Sequence, residues 1–291
     1  MKIKISRGRL LLVLVMVALI SGCAGQQTRM KSSVVDYLYP GKSETIVQPS
    51  IPVLNIPIKV GIAFVPEQRA RSYGGNIWAG ILGGGSLTEA DKSGLLERVA
   101  DHFRKQEFIS EIEVIPSPYL TAGGGFSNLE QIRTMYGIDI IALVSYDQVQ
   151  FTDEGLLSLA YWTLVGAYIV AGEKNDTSTM LDTAVYDIQS KKMLFRAPGT
   201  SNVKSRSAPV NLSEELRNDS IKSFNEATDA MIMNLDLQLT RFKEKIVSNP
   251  EQVKIVKRAS YSGGGVMGLV DLSLILLFVL GIAVKNRKFN S

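Results

Sequence analysis

Both ends of the chain are apolar runs with positive charges on their outward flanks, so only the residues between them can build a core in water. At the N-terminus, Lys2, Lys4, Arg7 and Arg9 precede the uncharged apolar residues 10–20. That run is shorter than the roughly 20 residues a spanning helix needs, and its layout is that of a secretory signal peptide. At the C-terminus, Ser262-Gly263-Gly264-Gly265 leads into the apolar residues 266–284, broken only by Asp271, and then into Lys285, Arg287 and Lys288. This second run is long enough to cross a bilayer, and the basic residues beyond it favour the cytoplasmic side, which puts the intervening body outside the cytoplasm. Glycines weaken a helix by about 1 kcal/mol each, so the chain is pliable where it enters the membrane. A carboxylate at a helix centre costs about 2.5–3.5 kcal/mol, and the place of Asp271 near the outer end lowers that cost.

The formal charge of +4 misleads. Setting aside the seven basic residues of the two ends, together with Asp271, leaves the body at about −2. Such a body lacks the phosphate-neutralising surface that nucleic-acid binding needs. Cys23 is the only cysteine, which excludes a disulfide within the chain and any cysteine-based metal cluster.

Ile20-Ser21-Gly22-Cys23 resembles the lipobox read by the bacterial lipoprotein signal peptidase. The resemblance implies cleavage before Cys23, with Ile20, Ser21 and Gly22 recognised by the peptidase and the Cys23 thiol taking a diacylglycerol from the acylation machinery. Ala24 follows where an aspartate would favour inner-membrane retention, so the expected destination is the outer membrane or cell surface. The tail resembles the GlyGly-CTERM sorting signal, and the two signals together resemble the rhombotarget lipoprotein family. That likeness implies cutting by a rhomboid-type protease, a rhombosortase, at or near Gly263, Gly264 and Gly265. The logic parallels a GPI signal, in which the hydrophobic tail is removed. A plain C-terminal transmembrane anchor is the blander reading.

The body divides into a polar, proline-bearing tether (residues 23–55), one domain (56–248) and a linker (249–262) before the tail (263–291). Residues 58–65 read as a strand closed by Pro66, and residues 74–85, with Trp78, as a glycine-rich loop. Thr88-x-x-Asp91 has the form of a capping box, and Leu96, Val99 and Phe103 set the face of an amphipathic helix over 89–106. Residues 111–115 read as a strand, and Ser127-x-x-Glu130 opens a shorter helix to Tyr136 with Leu129, Ile132 and Met135 on one face. Residues 138–151 form the strongest strand, with an apolar centre at 140–144 that implies burial on both faces. Residues 156–172 carry no charge, and their β-branched and aromatic content favours one bent strand or two over a membrane helix. A hairpin pairs 179–188 with 193–196, and Ser213 caps a long helix to Val247 with Phe224, Ala227, Met231, Leu235, Leu239, Phe242 and Ile246 facing inward. The expected fold is α+β: a single compact domain with a mixed β-sheet, two short helices and a long C-terminal helix, flanked by the N-terminal signal and the C-terminal transmembrane segment.

No catalytic constellation emerges, and the chain reads as non-enzymatic. His102 is the only histidine, which removes histidine-cluster zinc sites and a Ser-His-Asp triad, and it reads as a surface residue. Gly41-Lys42-Ser43 lacks the earlier glycine of a phosphate-binding loop, and the triplets at 83–85 and 123–125 miss the dinucleotide spacing and read as flexible loops. Asp139, Asp147, Asp153, Glu154, Asp182 and Asp187 are the carboxylates a hydrolase would have to use. Trp162 reads as a buried aromatic, and Trp78 as buried or part of a binding surface. No metal or cofactor is expected. The leading expectation is a processed envelope lipoprotein with a binding or assembly role; the alternatives are a bitopic inner-membrane scaffold and a carboxylate-dependent hydrolase.

Overall fold

The most apolar run in the body, residues 140–144, is buried on both faces and forms the axis of the sheet. The computed structural model describes residues 26–40, 50–67, 87–153, 173–207 and 211–257. In chain order these form β1 (Gln26–Lys31), α1 (Val34–Leu38), β2 (Val53–Ile56), β3 (Ile58–Phe64), α2 (Glu89–Phe103), β4 (Ile109–Val114), a 3-10 turn (Ser117–Tyr119) and α3 (Gly125–Tyr136). They continue with β5 (Ile140–Asp153), β6 (Glu173–Asp187), β7 (Lys192–Ser207), α4 (Leu212–Ser248) and β8 (Lys254–Lys257). The six-stranded sheet runs β4-β3-β5-β6-β7, with β1 added beside β5, and β2 and β8 form a separate parallel pair. The β4-β3-β5 part is parallel and the β5-β6-β7 part antiparallel, so the expected mixed sheet is present.

Strand β5 is long enough to hold two partners on one edge. Its first half, residues 140–144, pairs with β3, and residues 147–152 pair with β1 in the opposite sense. The handover occurs where Val65 N donates to Val144 O at 2.9 Å and Ser32 N donates to Tyr146 O at 2.8 Å. The Ser32 hydroxyl completes it by accepting from Tyr146 N at 3.0 Å.

Helices cover both faces. Helices α2 and α4 bury Phe64, Val99, Phe103, Val144, Phe224 and Met231 on one face, while α1 and α3 bury Tyr37, Leu38, Leu129, Ile132, Ile141 and Leu143 on the other. The capping box of α2 is present: Asp91 N donates to Thr88 Oγ1 at 3.2 Å and Thr88 N to Asp91 Oδ2 at 3.0 Å. The helix ends at Phe103, three residues before the expected end. Helix α3 begins at Gly125, two residues before Ser127, and stops at left-handed Gly137. Leu129 and Ile132 are buried as expected, but Met135 points to solvent. Helix α4 begins one residue before Ser213, and its expected inward stripe is the one that packs against the sheet.

Three assignments need correction. Residues 26–40 and 53–55, expected within the tether, belong to the fold in β1, α1 and β2. Residues 254–257, expected within the linker, form β8 against β2. The triplet at 123–125, expected as a flexible loop, forms the ordered entry to α3, and the left-handed φ of +60° at Gly125 suits glycine.

The hairpin is also longer than its sequence suggests, because Pro198 and Gly199 sit inside β7 rather than ending it. Pro198 is tolerated because β7 is an edge strand whose outer side needs no donor. None of the described helices is long and apolar enough to cross a membrane. The signal peptide, Cys23 with its lipobox, residues 41–43, 74–85 and 156–172, both tryptophans, Glu154 and the tail with Gly263, Gly264 and Gly265 lie outside the described residues.

Candidate functional site

The carboxylates available for hydrolysis are scattered among local structural bonds. Asp139 accepts from Lys59 N at 3.3 Å, Asp147 from Arg29 Nε at 2.8 Å, Asp182 from Arg196 Nε at 2.6 Å and Asp187 from Ser190 N at 2.9 Å. Each of these bonds joins neighbouring strands or closes a turn, and among the described residues no three acidic or metal-ligating side chains form a metal-sized cluster.

His102 lies on the outer side of α2, with Nε2 2.7 Å from Asp236 Oδ2 on α4 and both side chains half-exposed. One turn earlier Arg98 donates to Asn225 and pairs with Asp229. These contacts tie the two helices together along their solvent edge.

Beneath that tie the packing opens into an apolar chamber of about 110 Å³ between the sheet, α2 and α4. Ile62, Ala100, Phe103, Ala142, Phe195 and Leu239 are among the side chains around it, and Thr183 is the one residue of its lining with a polar side chain. The Thr183 hydroxyl is already engaged with Met231 Sδ at 2.8 Å. A buried water needs two to four polar partners, so a chamber with this lining stays dry.

At its foot the chamber shares Leu194 and Phe242 with a wider, mixed groove of about 340 Å³. The groove carries Lys192 and Lys245, Glu251 and Gln252, and the exposed apolar residues Ile51 and Met193. On another wall of the chamber, Lys243 Nζ lies 4.4 Å from the centroid of the Phe108 ring. Burial pushes the Lys243 pKa down, with Asp236 opposing it.

A second polar cluster lies where β3 hands over to β1. Lys92 is nearly buried and bridges Glu89 at 3.2 Å and Glu67 at 3.4 Å. The buried Tyr146 hydroxyl nearby makes no hydrogen bond of ordinary geometry. Burial, and after it the carboxylates of Glu67 and Glu89, raise its pKa, so it stays neutral at any physiological pH.

The N-terminal half of α4 meets the sheet through hydrogen bonds rather than hydrocarbon. Ser220 Oγ donates to Gln148 Oε1, Gln148 Nε2 to Thr179 Oγ1 and Ser223 Oγ to the same Thr179 oxygen, each at 2.7 Å. Such short side chains let helix and sheet approach closely, and a β-carbon on Gly199 would stand 2.2 Å from Ala227 O.

No family model and no curated protein matches the chain. Among solved structures, a neuraminyllactose-binding hemagglutinin homolog from Helicobacter pylori aligns over 73% of this chain and 97% of its own, at 9% identity and a TM-score of 0.35. A Xanthomonas campestris protein of family DUF330 aligns over 68% and 93%, at 11% identity and 0.34. A lipoprotein from Neisseria meningitidis aligns over 57% and 96%, at 10% identity and 0.26.

The chamber is not legible in the sequence. Its lining comes from six strands and two helices, each apolar for ordinary core reasons, and a void between them leaves no mark on any one segment. The lysines at its foot were the only local signal, and each alone reads as a solvated surface charge.

Proposed function

We propose that the protein is an exported, non-enzymatic envelope lipoprotein, acylated on Cys23, whose C-terminal tail is removed at or near Gly263, Gly264 and Gly265 by a rhomboid-type intramembrane protease. The observation that carries this reading is the pair of linear signals, Ile20-Ser21-Gly22-Cys23 and the base-ended apolar tail after Ser262-Gly263-Gly264-Gly265, and the domain between them has widely separated exits. Gln26 pairs with Thr152 at one end of β5, while Lys257 pairs with Ile56 beside the start of β3 at the other. About 40 Å of β5 lies between them, at about 3.4 Å per residue.

The links to the two membrane signals are short by comparison. Three residue steps join Cys23 to Gln26 and reach at most about 11 Å, and six join Lys257 to Gly263 and reach at most about 22 Å. With both anchors in one bilayer, the domain is held by both ends, with β5 lying along the membrane. Cutting the tail releases one end and leaves the lipid as the sole attachment.

The two anchors also differ in kind. Acyl chains hold a protein reversibly in proportion to buried CH₂ groups, whereas a spanning helix inserts almost irreversibly. A lipoprotein bound for the outer membrane has to shed such a helix before it can be extracted from the inner one. Removal of the tail is therefore the committing step for transfer.

Membrane fractionation of a Gly263→Val, Gly264→Val, Gly265→Val variant tests this. The reading predicts an intact tail and retention in the inner membrane, against a shortened wild-type protein in the outer membrane. A wild-type protein that stays in the inner membrane with its tail would instead support the bitopic scaffold.

A further inference from the structure

We propose that the chamber between the sheet, α2 and α4 is a binding site for a fatty acid, the hydrocarbon end seated in the chamber and the carboxylate held by Lys192 and Lys245 in the groove at its foot. The site stands independently of the reading of the two termini. Its chemistry runs in one direction. The interior offers hydrocarbon and aromatic surface and no free polar partner for water, since the Thr183 hydroxyl is engaged by Met231. The volume of about 110 Å³ is close to the roughly 150 Å³ of a dry apolar cavity that admits benzene, so it takes the end of an alkyl chain.

Leu194 and Phe242 form the wall shared by chamber and groove, so a rotation of these two side chains joins the voids. The groove then supplies what the rest of an amphiphile needs. Ile51 and Met193 are more than half exposed and offer apolar surface for the chain as it leaves. Lys192 and Lys245 outnumber Glu251 at the rim, which favours an anionic head over a neutral or cationic one.

The chain's own lipid does not compete for this place. Cys23 precedes Gln26, which stands opposite Thr152, while the chamber is lined by Ile140 and Ala142 at the other end of β5. The apolar tail, residues 266–284, follows Lys257 in the chain and is far too large for a void of about 110 Å³. The end of a single alkyl chain is an occupant of matching volume and chemistry.

The test uses the full chain in its native membranes and a long-chain fatty acid with a diazirine near its methyl end, with labelled peptides mapped by mass spectrometry after illumination. The expected result is labelling of peptides carrying Phe108, Leu194, Leu239 and Phe242, lost on adding excess unlabelled fatty acid. Leu239→Trp, which fills the chamber, is expected to reduce this labelling while the protein keeps its cooperative melting transition. The surface variant Lys192→Gln, Lys245→Gln leaves the core untouched. It is expected to reduce labelling by the acid about tenfold, the effect of losing a charge-assisted hydrogen bond, and to leave labelling by a neutral monoacylglycerol probe unchanged. Labelling spread over the lipid-facing tail alone, or insensitive to both variants and to competition, would overturn the site. Equal labelling by the acid and neutral probes would overturn the role of the lysines.

Discussion

Gln26 is hydrogen-bonded into the sheet opposite Thr152, so the chain is already folded three residues after Cys23. The segment that reads as a tether is structural, and its removal should be felt in stability. Within it, Tyr37 donates to Asn128 Oδ1 at 2.8 Å in a buried setting, and the same oxygen accepts from Thr121 N at 2.9 Å.

Asn128→Ala strands both donors and is expected to cost about 1–3 kcal/mol, the penalty for buried groups left without partners. Urea unfolding checks this, with a lower midpoint and an unchanged slope. An unchanged midpoint would mean that α1 is not docked on α3.

Gly199 and Gly94 make a matched pair of opposite sign. A β-carbon at Gly199 meets the backbone of α4, so Gly199→Ala should destabilise by about 1–3 kcal/mol through overpacking. A β-carbon at Gly94, exposed within α2, meets nothing within 4 Å, so Gly94→Ala should stabilise by about 0.5–1 kcal/mol. Thermal melting of the two variants should give shifts in opposite directions.

Stability should fall in alkali. Burial raises the pKa of Tyr37, Tyr146 and Tyr186 above the usual value for tyrosine. Above about pH 10 the unfolded chain loses these protons while the folded one keeps them, so the unfolded state binds fewer protons and stability declines by up to about 1.4 kcal/mol per pH unit for each group. Below that pH the three contribute no slope. Tyr146→Phe should flatten the decline, because it removes one of the three raised groups. Denaturant midpoints from pH 8 upward would measure both effects.

His102→Gln is expected to change stability by less than about 1 kcal/mol, since its pair with Asp236 is half-exposed. A larger loss in a melting experiment would show that the α2–α4 tie carries more of the fold than its exposure suggests.

The parts of the fold that could be read from sequence are those where local chemistry and burial agree. Thr88 and Asp91 announce a helix start because the cap is a local bond, and Phe224, Ala227, Met231 and Leu235 keep helical spacing because one face of α4 is buried along much of its length. The parts that could not be read are held by partners distant in sequence. Gln26, Gln27 and Thr28 show no apolar alternation, and they form a strand because the outer half of β5 leaves an open edge. Asn175 and Thr177 lie before the strand that the sequence shows and look like a polar loop, yet they are buried because Gln150 of β5, Ser207 of β7 and Ser223 of α4 supply polar groups to receive them. Lys254, Ile255, Val256 and Lys257 are too short a run to signal a strand without β2 beside them. Of the candidate sites, the lipobox and the glycine cluster are linear signals and readable, whereas the chamber exists only in three dimensions.

In the proposed function, a lipid on Cys23 replaces a spanning tail as the anchor of a domain tied down at both ends. The intact mass of the mature protein, purified from cells that possess the rhomboid-type protease, tests it most directly. The expected mass is that of a chain that starts at an acylated Cys23 and ends within or beside residues 263–265. An unmodified Cys23, or a mass that extends to Ser291, would contradict it.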